Sequence, residues 1–93
     1  MGKSITRYLL TDHVKEEMVR RNIEESEIGN VLANPDQMEE VIEGRNVYQS
    51  KITKGEPPKT RLLRVFVDID RDPPEVVTVY RTSKVEKYWR TEK

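Results

Sequence analysis

The 93 residues leave room for one domain with one modest core, and the composition keeps that core small, with 37% charged residues against 34% apolar. With no cysteine there are no disulfides or thiolate metal sites, and one histidine is too few for a histidine-cluster metal site. No apolar run approaches the roughly 20 residues that span a bilayer, and Met1-Gly2-Lys3-Ser4 lacks the apolar centre of a signal peptide. The expectation is therefore a single cytoplasmic domain over residues 1–93 that needs no metal or other cofactor and does not engage a membrane.

Basic and acidic residues balance at 17 each. The halves do not: residues 1–46 hold six basic and ten acidic residues, and residues 47–93 hold eleven and seven. A neutral total counts against strong nonspecific binding of nucleic acid, and the basic C-terminal half partly restores that option.

In chain order, Ile5 to Leu10 is a short, partly apolar lead-in with the character of an edge strand. Thr11 or Asp12 suits an N-cap, and a helix follows to about Asn22 with Val14 and Met18 as its apolar stripe. A second helix is expected from about Glu24 to Ala33. Its acidic first turn complements the helix dipole, and Ile28, Val31 and Leu32 fall on one face. Asn34-Pro35 stops it, because proline disfavours a helical residue before it. Met38 to Ile42 and Asn46 to Thr53 read as strands about the turn Glu43-Gly44-Arg45-Asn46. A two-residue loop at Gly44-Arg45 would pair Ile42 with Val47 and Val41 with Tyr48, and a longer loop is the alternative. Lys54 to Thr60 is a loop.

Two further strand-like runs follow, Arg61 to Asp70 and Glu75 to Ser83, separated by a segment rich in turn formers. Alternation puts Leu63, Val65, Val67 and Ile69 on one face of the first, with Leu62, Arg64, Phe66 and Asp68 on the other. In the second, Val77 and Val79 share one face and Val76, Thr78, Tyr80 and Thr82 the other. Ser83-Lys84-Val85-Glu86 matches a capping box, and a short helix to about Arg90 places Val85, Tyr88 and Trp89 on one side, against the sheet. The expected class is α+β: two N-terminal helices on one face of a four-stranded antiparallel sheet, then a short C-terminal helix.

With the elements in this order, several motifs together resemble a known family. They are His13-Val14-x-x-x-Met18-x-x-Arg21-x-Ile23, Val31-Leu32-x-Asn34-Pro35, Glu43-Gly44-Arg45, Val47-Tyr48-Gln49-x-Lys51, Arg61-Leu62-Leu63-Arg64-Val65, and Val77 to Lys84 ending in Tyr88-Trp89. The set resembles the bacterial and archaeal family called "domain of unknown function 4258". In that family a basic residue sits four positions after the histidine, where this chain has Glu17, with Arg20 as the nearest substitute. More distantly, the order of elements is similar to the RelE and ParE toxins and to BrnT, a fold-level analogy that implies endoribonucleases as well as non-nuclease members. The partners that resemblance implies are RNA or the ribosome, and a small antitoxin-like protein. It implies no oligomeric state.

Metal-independent cleavage of RNA would need a base for the 2′-hydroxyl, cations for the phosphorane charge and an acid for the leaving oxygen. His13 is the one side chain whose unperturbed pKa lies near neutrality, and Arg81 and Tyr80 complete the candidate catalytic set. Lys51, Arg61 and Arg64 are the candidate RNA-binding residues. All would have to meet on one patch. The plainer alternatives are a packed or capping His13, solvated strand charges, and tyrosines half-buried in the sheet. Two readings stay open at this point: an endoribonuclease-like or RNA-binding protein, and a non-enzymatic module that binds a protein partner.

Overall fold

A computed structural model describes residues 4–91. Met1 to Lys3, which entered the signal-peptide argument, lie outside the described residues. The elements are β1 (Leu9–Leu10), α1 (Asp12–Arg21), α2 (Glu25–Ala33), β2 (Gln37–Ile42), β3 (Arg45–Lys54), β4 (Lys59–Asp68), β5 (Glu75–Thr82) and α3 (Val85–Tyr88). The class is α+β, as expected, but the sheet has five strands in the order β1-β5-β4-β3-β2. It is mixed rather than purely antiparallel, because the lead-in before α1 pairs parallel to β5, Leu9 with Glu75 and Leu10 with Val76.

Thr11 turns the chain from β1 into α1. Its extended backbone and side-chain oxygen cap the helix by accepting from the Val14 N–H at 3.2 Å, while its hydroxyl donates to the Val76 carbonyl at 3.0 Å. Asn22 ends α1 in the left-handed conformation, at φ 57°, and the Ile23 N–H reaches back to the Met18 carbonyl at 2.9 Å. Asparagine tolerates that conformation, and buried Ile23 seals the turn. In α2, the Glu27 carboxylate accepts from the Glu24 N–H at 3.2 Å, satisfying one of the helix's orphan donors.

Both long helices cover one face of the sheet. Val14, Ile23, Ile28, Val31 and Leu32 pack on Tyr48, Leu63, Val65, Val67, Val76 and Val79. Three sequence expectations change here. Val76, not Val77, joins the core, because a bulge between the pairs Phe66–Thr78 and Val67–Val76 shifts the alternation by one residue. Ile69 lies beyond the end of β4 and is exposed. The β2–β3 turn is Glu43-Gly44, with Ile42 opposite Arg45, and an irregularity between Glu40 and Ile42 then pairs Glu39 with Val47 and Met38 with Tyr48. Gly44 takes φ 86°, a conformation that favours glycine, and a Cβ there would meet the end of the exposed Asp70 side chain at 2.8 Å, which would have to swing aside.

The C-terminal helix is shorter than its sequence suggests. The Lys84 N–H is held by the Thr82 hydroxyl at 3.0 Å, the expected Ser83–Glu86 capping box does not form, and the chain is extended again at Trp89. The segment then crosses the sheet face away from α1 and α2. There the Gln37 side chain accepts from the Arg90 N–H at 3.0 Å and donates to its carbonyl at 2.6 Å.

Candidate functional site

Strand register decides which candidate residues meet. Opposite Arg64 lie Gln49 on β3 and Tyr80 on β5, so these three share the face away from the long helices, together with Lys51, Leu62, Phe66 and Thr82. Arg61 and Arg81 are odd-numbered neighbours of the core residues Leu63 and Val79, so they point to the helix side. The expected single patch is therefore divided by the sheet. The proposed catalytic set is divided with it, because Tyr80 and Arg81 are consecutive residues of one strand and face opposite ways.

On the open face, Arg64 is committed to internal partners. Its Nε donates to Gln49 Oε1 at 2.9 Å and its Nη1 to the Tyr80 hydroxyl at 2.7 Å. Its guanidinium lies 4.3 Å from the Tyr88 ring centroid. Gln49, only 2% exposed, donates to Gln37 Oε1 at 2.8 Å and to the Tyr88 carbonyl at 3.2 Å. Lys51 Nζ sits 4.1 Å over Trp89. Together these contacts fasten the C-terminal segment to the sheet, a structural role for Arg64 and Tyr80.

On the helix side, Arg21, Arg61, Arg81 and Ser83 line a cavity of about 340 Å³. Arg81 is fixed there, because its Nη2 donates to the Arg21 carbonyl and, at 3.3 Å, to the Asn22 carbonyl at the end of α1. A cation on the last carbonyls of a helix is favourable, since those groups carry the negative end of the helix dipole. Arg61 forms no ion pair among the described residues.

Two carboxylates lie close to this cluster, and both are already engaged. Glu17 is buried, and its Oε1 accepts from the Val79 N–H at 3.0 Å. That N–H belongs to the stretch of β5 that β1 is too short to pair. Its Oε2 stands 3.2 Å from His13 Nε2 and 3.8 Å from Arg21 Nη2. Glu27 is bonded to Lys54. Burial works to raise the Glu27 carboxyl, but the hydrogen bonds from Lys54 and the Glu24 backbone and the charges of Lys54 and Arg81 outweigh it and hold the group below the usual carboxylate range. His13 is exposed, and its Nε2 reaches the same Glu17 Oε2 that stands 3.8 Å from Arg21 Nη2. The base nearest the arginine cluster is therefore Glu17, already held by the Val79 N–H and by His13.

The fold also sorts charge along the sheet. The end carrying the β3–β4 turn, over residues 50–64 and 79–88, has Lys51, Lys54, Lys59, Arg61, Arg64, Arg81, Lys84 and Lys87 against Glu56 and Glu86, with Glu27 paired to Lys54 and Asp36 accepting from the Lys51 N–H beside them. The opposite end, over residues 37–46 and 66–78, has Glu39, Glu40, Glu43, Asp68, Asp70, Asp72 and Glu75 against Arg45 and Arg71. Arg45 and Asp68 form a two-pronged pair at 2.6 and 3.2 Å. Among the described residues no three His, Asp or Glu side chains are grouped as a metal ion would need, and no helix is long and apolar enough to cross a membrane.

Sequence reasoning did not place Arg21 or Ser83 in this cluster and did not bury Glu17. The available signal was the run His13, Glu17, Arg21 at intervals of four, one stripe of a helix. That this stripe faces a bare strand edge follows only from the shortness of β1.

Fold and site define a small α+β domain with one strongly cationic end. Within that class the chain belongs to the family described as Domain of unknown function (DUF4258), whose model matches residues 10–81, from the last residue of β1 to Arg81. No curated protein and no solved structure matches it.

Proposed function

We propose that this protein binds RNA, without metal, through the cationic end of its sheet. The observation that carries the reading is the segregation of charge: a chain of zero net charge folds so that eight basic residues of β3, β4, β5 and the C-terminal segment gather at one end, against Glu56, Glu86 and the neighbouring Asp36 and Glu27. Such a surface attracts a polyanion and repels it from the other end, which gives orientation as well as affinity. Binding is favoured over cleavage, because Tyr80 and Arg81 face opposite sides of the sheet and the carboxylates nearest the arginines, Glu17 and Glu27, are already bonded.

Labelled single-stranded RNA, with and without ribosomes, tests this across a salt series. The wild type binds at low salt, and affinity falls steeply as salt rises. Arg61→Ala weakens binding about tenfold, as expected for loss of one charge-assisted contact, and His13→Ala leaves it unchanged. Absence of binding at low salt by the folded protein refutes the reading. Cleavage that depends on His13 would restore the nuclease.

One observation favours a second reading, a module that binds a protein partner. Leu10, Met18, Val19 and Ile23 line a groove beside α1, and Val19 is 84% exposed. Partner binding lost in Val19→Glu and retained in Arg61→Ala would support it.

A further inference from the structure

We infer that the cavity formed by Arg21, Arg61, Arg81 and Ser83 is a seat for a phosphomonoester, the dianionic end group of a nucleic-acid strand. The inference deepens the RNA reading and rests on it for the source of the phosphate, but the seat itself follows from local chemistry. Three arginines, from α1, β4 and β5, line one cavity of about 340 Å³ together with Ser83. Arg81 is fixed by the helix-end carbonyls, so part of the ordering cost of binding is met in the fold. Arg61 has no ion-pair partner among the described residues. Glu17 stands 3.8 Å from Arg21 and is shared with His13, and Glu27, on α2, is bonded to Lys54. The arginines thus keep more positive charge than the neighbouring carboxylates offset.

The amount of charge selects the ligand. An internal phosphodiester carries one negative charge, whereas a phosphomonoester carries about −1.5 to −2 at pH 7 and three strong acceptor oxygens. Guanidinium forks match those oxygens in pairs. A triad of arginines is better neutralised by the monoester, and the Ser83 hydroxyl can donate to an oxygen the forks leave over.

The test is titration calorimetry at constant ionic strength with four probes: inorganic phosphate, and one RNA oligonucleotide carrying a 5′-phosphate, a 3′-phosphate or neither. Inorganic phosphate binds the wild type, and one of the phosphorylated ends strengthens RNA binding at least fivefold over the unphosphorylated strand. Arg61→Gln and Arg21→Gln, both at exposed positions, each lower phosphate affinity about tenfold. Arg71→Gln, the same change of charge at the acidic end, leaves it unaltered. RNA binding that ignores both end phosphates, with no binding of inorganic phosphate, overturns the seat and leaves the RNA reading intact. Phosphate binding without RNA binding has the opposite consequence. Equal loss in Arg71→Gln and Arg61→Gln would reduce the effect to general charge and also overturn the seat.

Discussion

Glu17 joins the edge of the sheet to the cationic cluster, and replacing it separates two roles that one side chain performs. Its Oε1 is the acceptor for the Val79 N–H, in a region where Val79 is fully buried. Glu17→Ala leaves that backbone donor without a partner, a loss of about 1–3 kcal/mol. It also removes packing beneath α1, so a destabilisation of about 2–3 kcal/mol is expected. For a domain of this size each kcal/mol moves the melting temperature by roughly 4–8 °C, so a drop of about 10–20 °C follows. Glu17→Gln keeps a carbonyl oxygen at the same place and should stay within about 1 kcal/mol of the wild type. Urea and thermal melts followed by circular dichroism measure both variants, and amide exchange at Val79 reports the bond itself, with protection lost in the alanine variant only. The glutamine variant removes a negative charge beside Arg21 and should strengthen RNA binding. Equal stability of the two variants, or unchanged protection of Val79 in Glu17→Ala, would refute the role given to this carboxylate.

Other expectations follow from the same structure. Val65→Asp places a charge on a residue with no exposure, costs roughly 3 kcal/mol or more and should abolish the cooperative melt. The bonded Arg45 guanidinium holds the Asp68 carboxyl below its usual value against the opposing effect of burial. Its contribution to stability is therefore full above about pH 4, the unfolded value, and is lost as pH falls through the lower folded value. Asp68→Asn should flatten the acid limb of the stability profile and change it little below that range. Thermal melts with and without a chelator should coincide, and a large drop on chelation would contradict a metal-independent fold.

Much of the fold was legible because local patterns agreed with one another. The Thr11 cap, the Asn34-Pro35 stop and the alternation of Leu63, Val65 and Val67 each place an element within a residue or two. What escaped depended on single-residue shifts. The bulge at Val77 exchanges Val76 into the core, and nothing in a run of valines marks which one will bulge. The pairing of Leu9 and Leu10 with β5 is a contact between residues more than 60 positions apart, beyond any local period. The site suffered most from the same cause. Lys51, Arg61, Arg64 and Arg81 were expected to converge on one patch, but parity in the strands sends Arg61 and Arg81 to the helix side and Lys51 and Arg64 to the other. Arg64 also has a second explanation that only the C-terminal segment reveals, since its partners hold that segment down.

The central claim is that the cationic end of the sheet is the surface that meets RNA. The most direct measurement is a two-dimensional amide spectrum of isotope-labelled protein titrated with a short single-stranded RNA at low salt. Shifts are predicted at Arg21 and Asn22, through Lys54 to Arg64, and from Arg81 to Lys84, reversing as salt is raised. Residues 40–45 and 68–76, at the acidic end, should stay in place. Shifts centred on that acidic end or on the groove at Met18 and Val19, or no shifts at all, would contradict it.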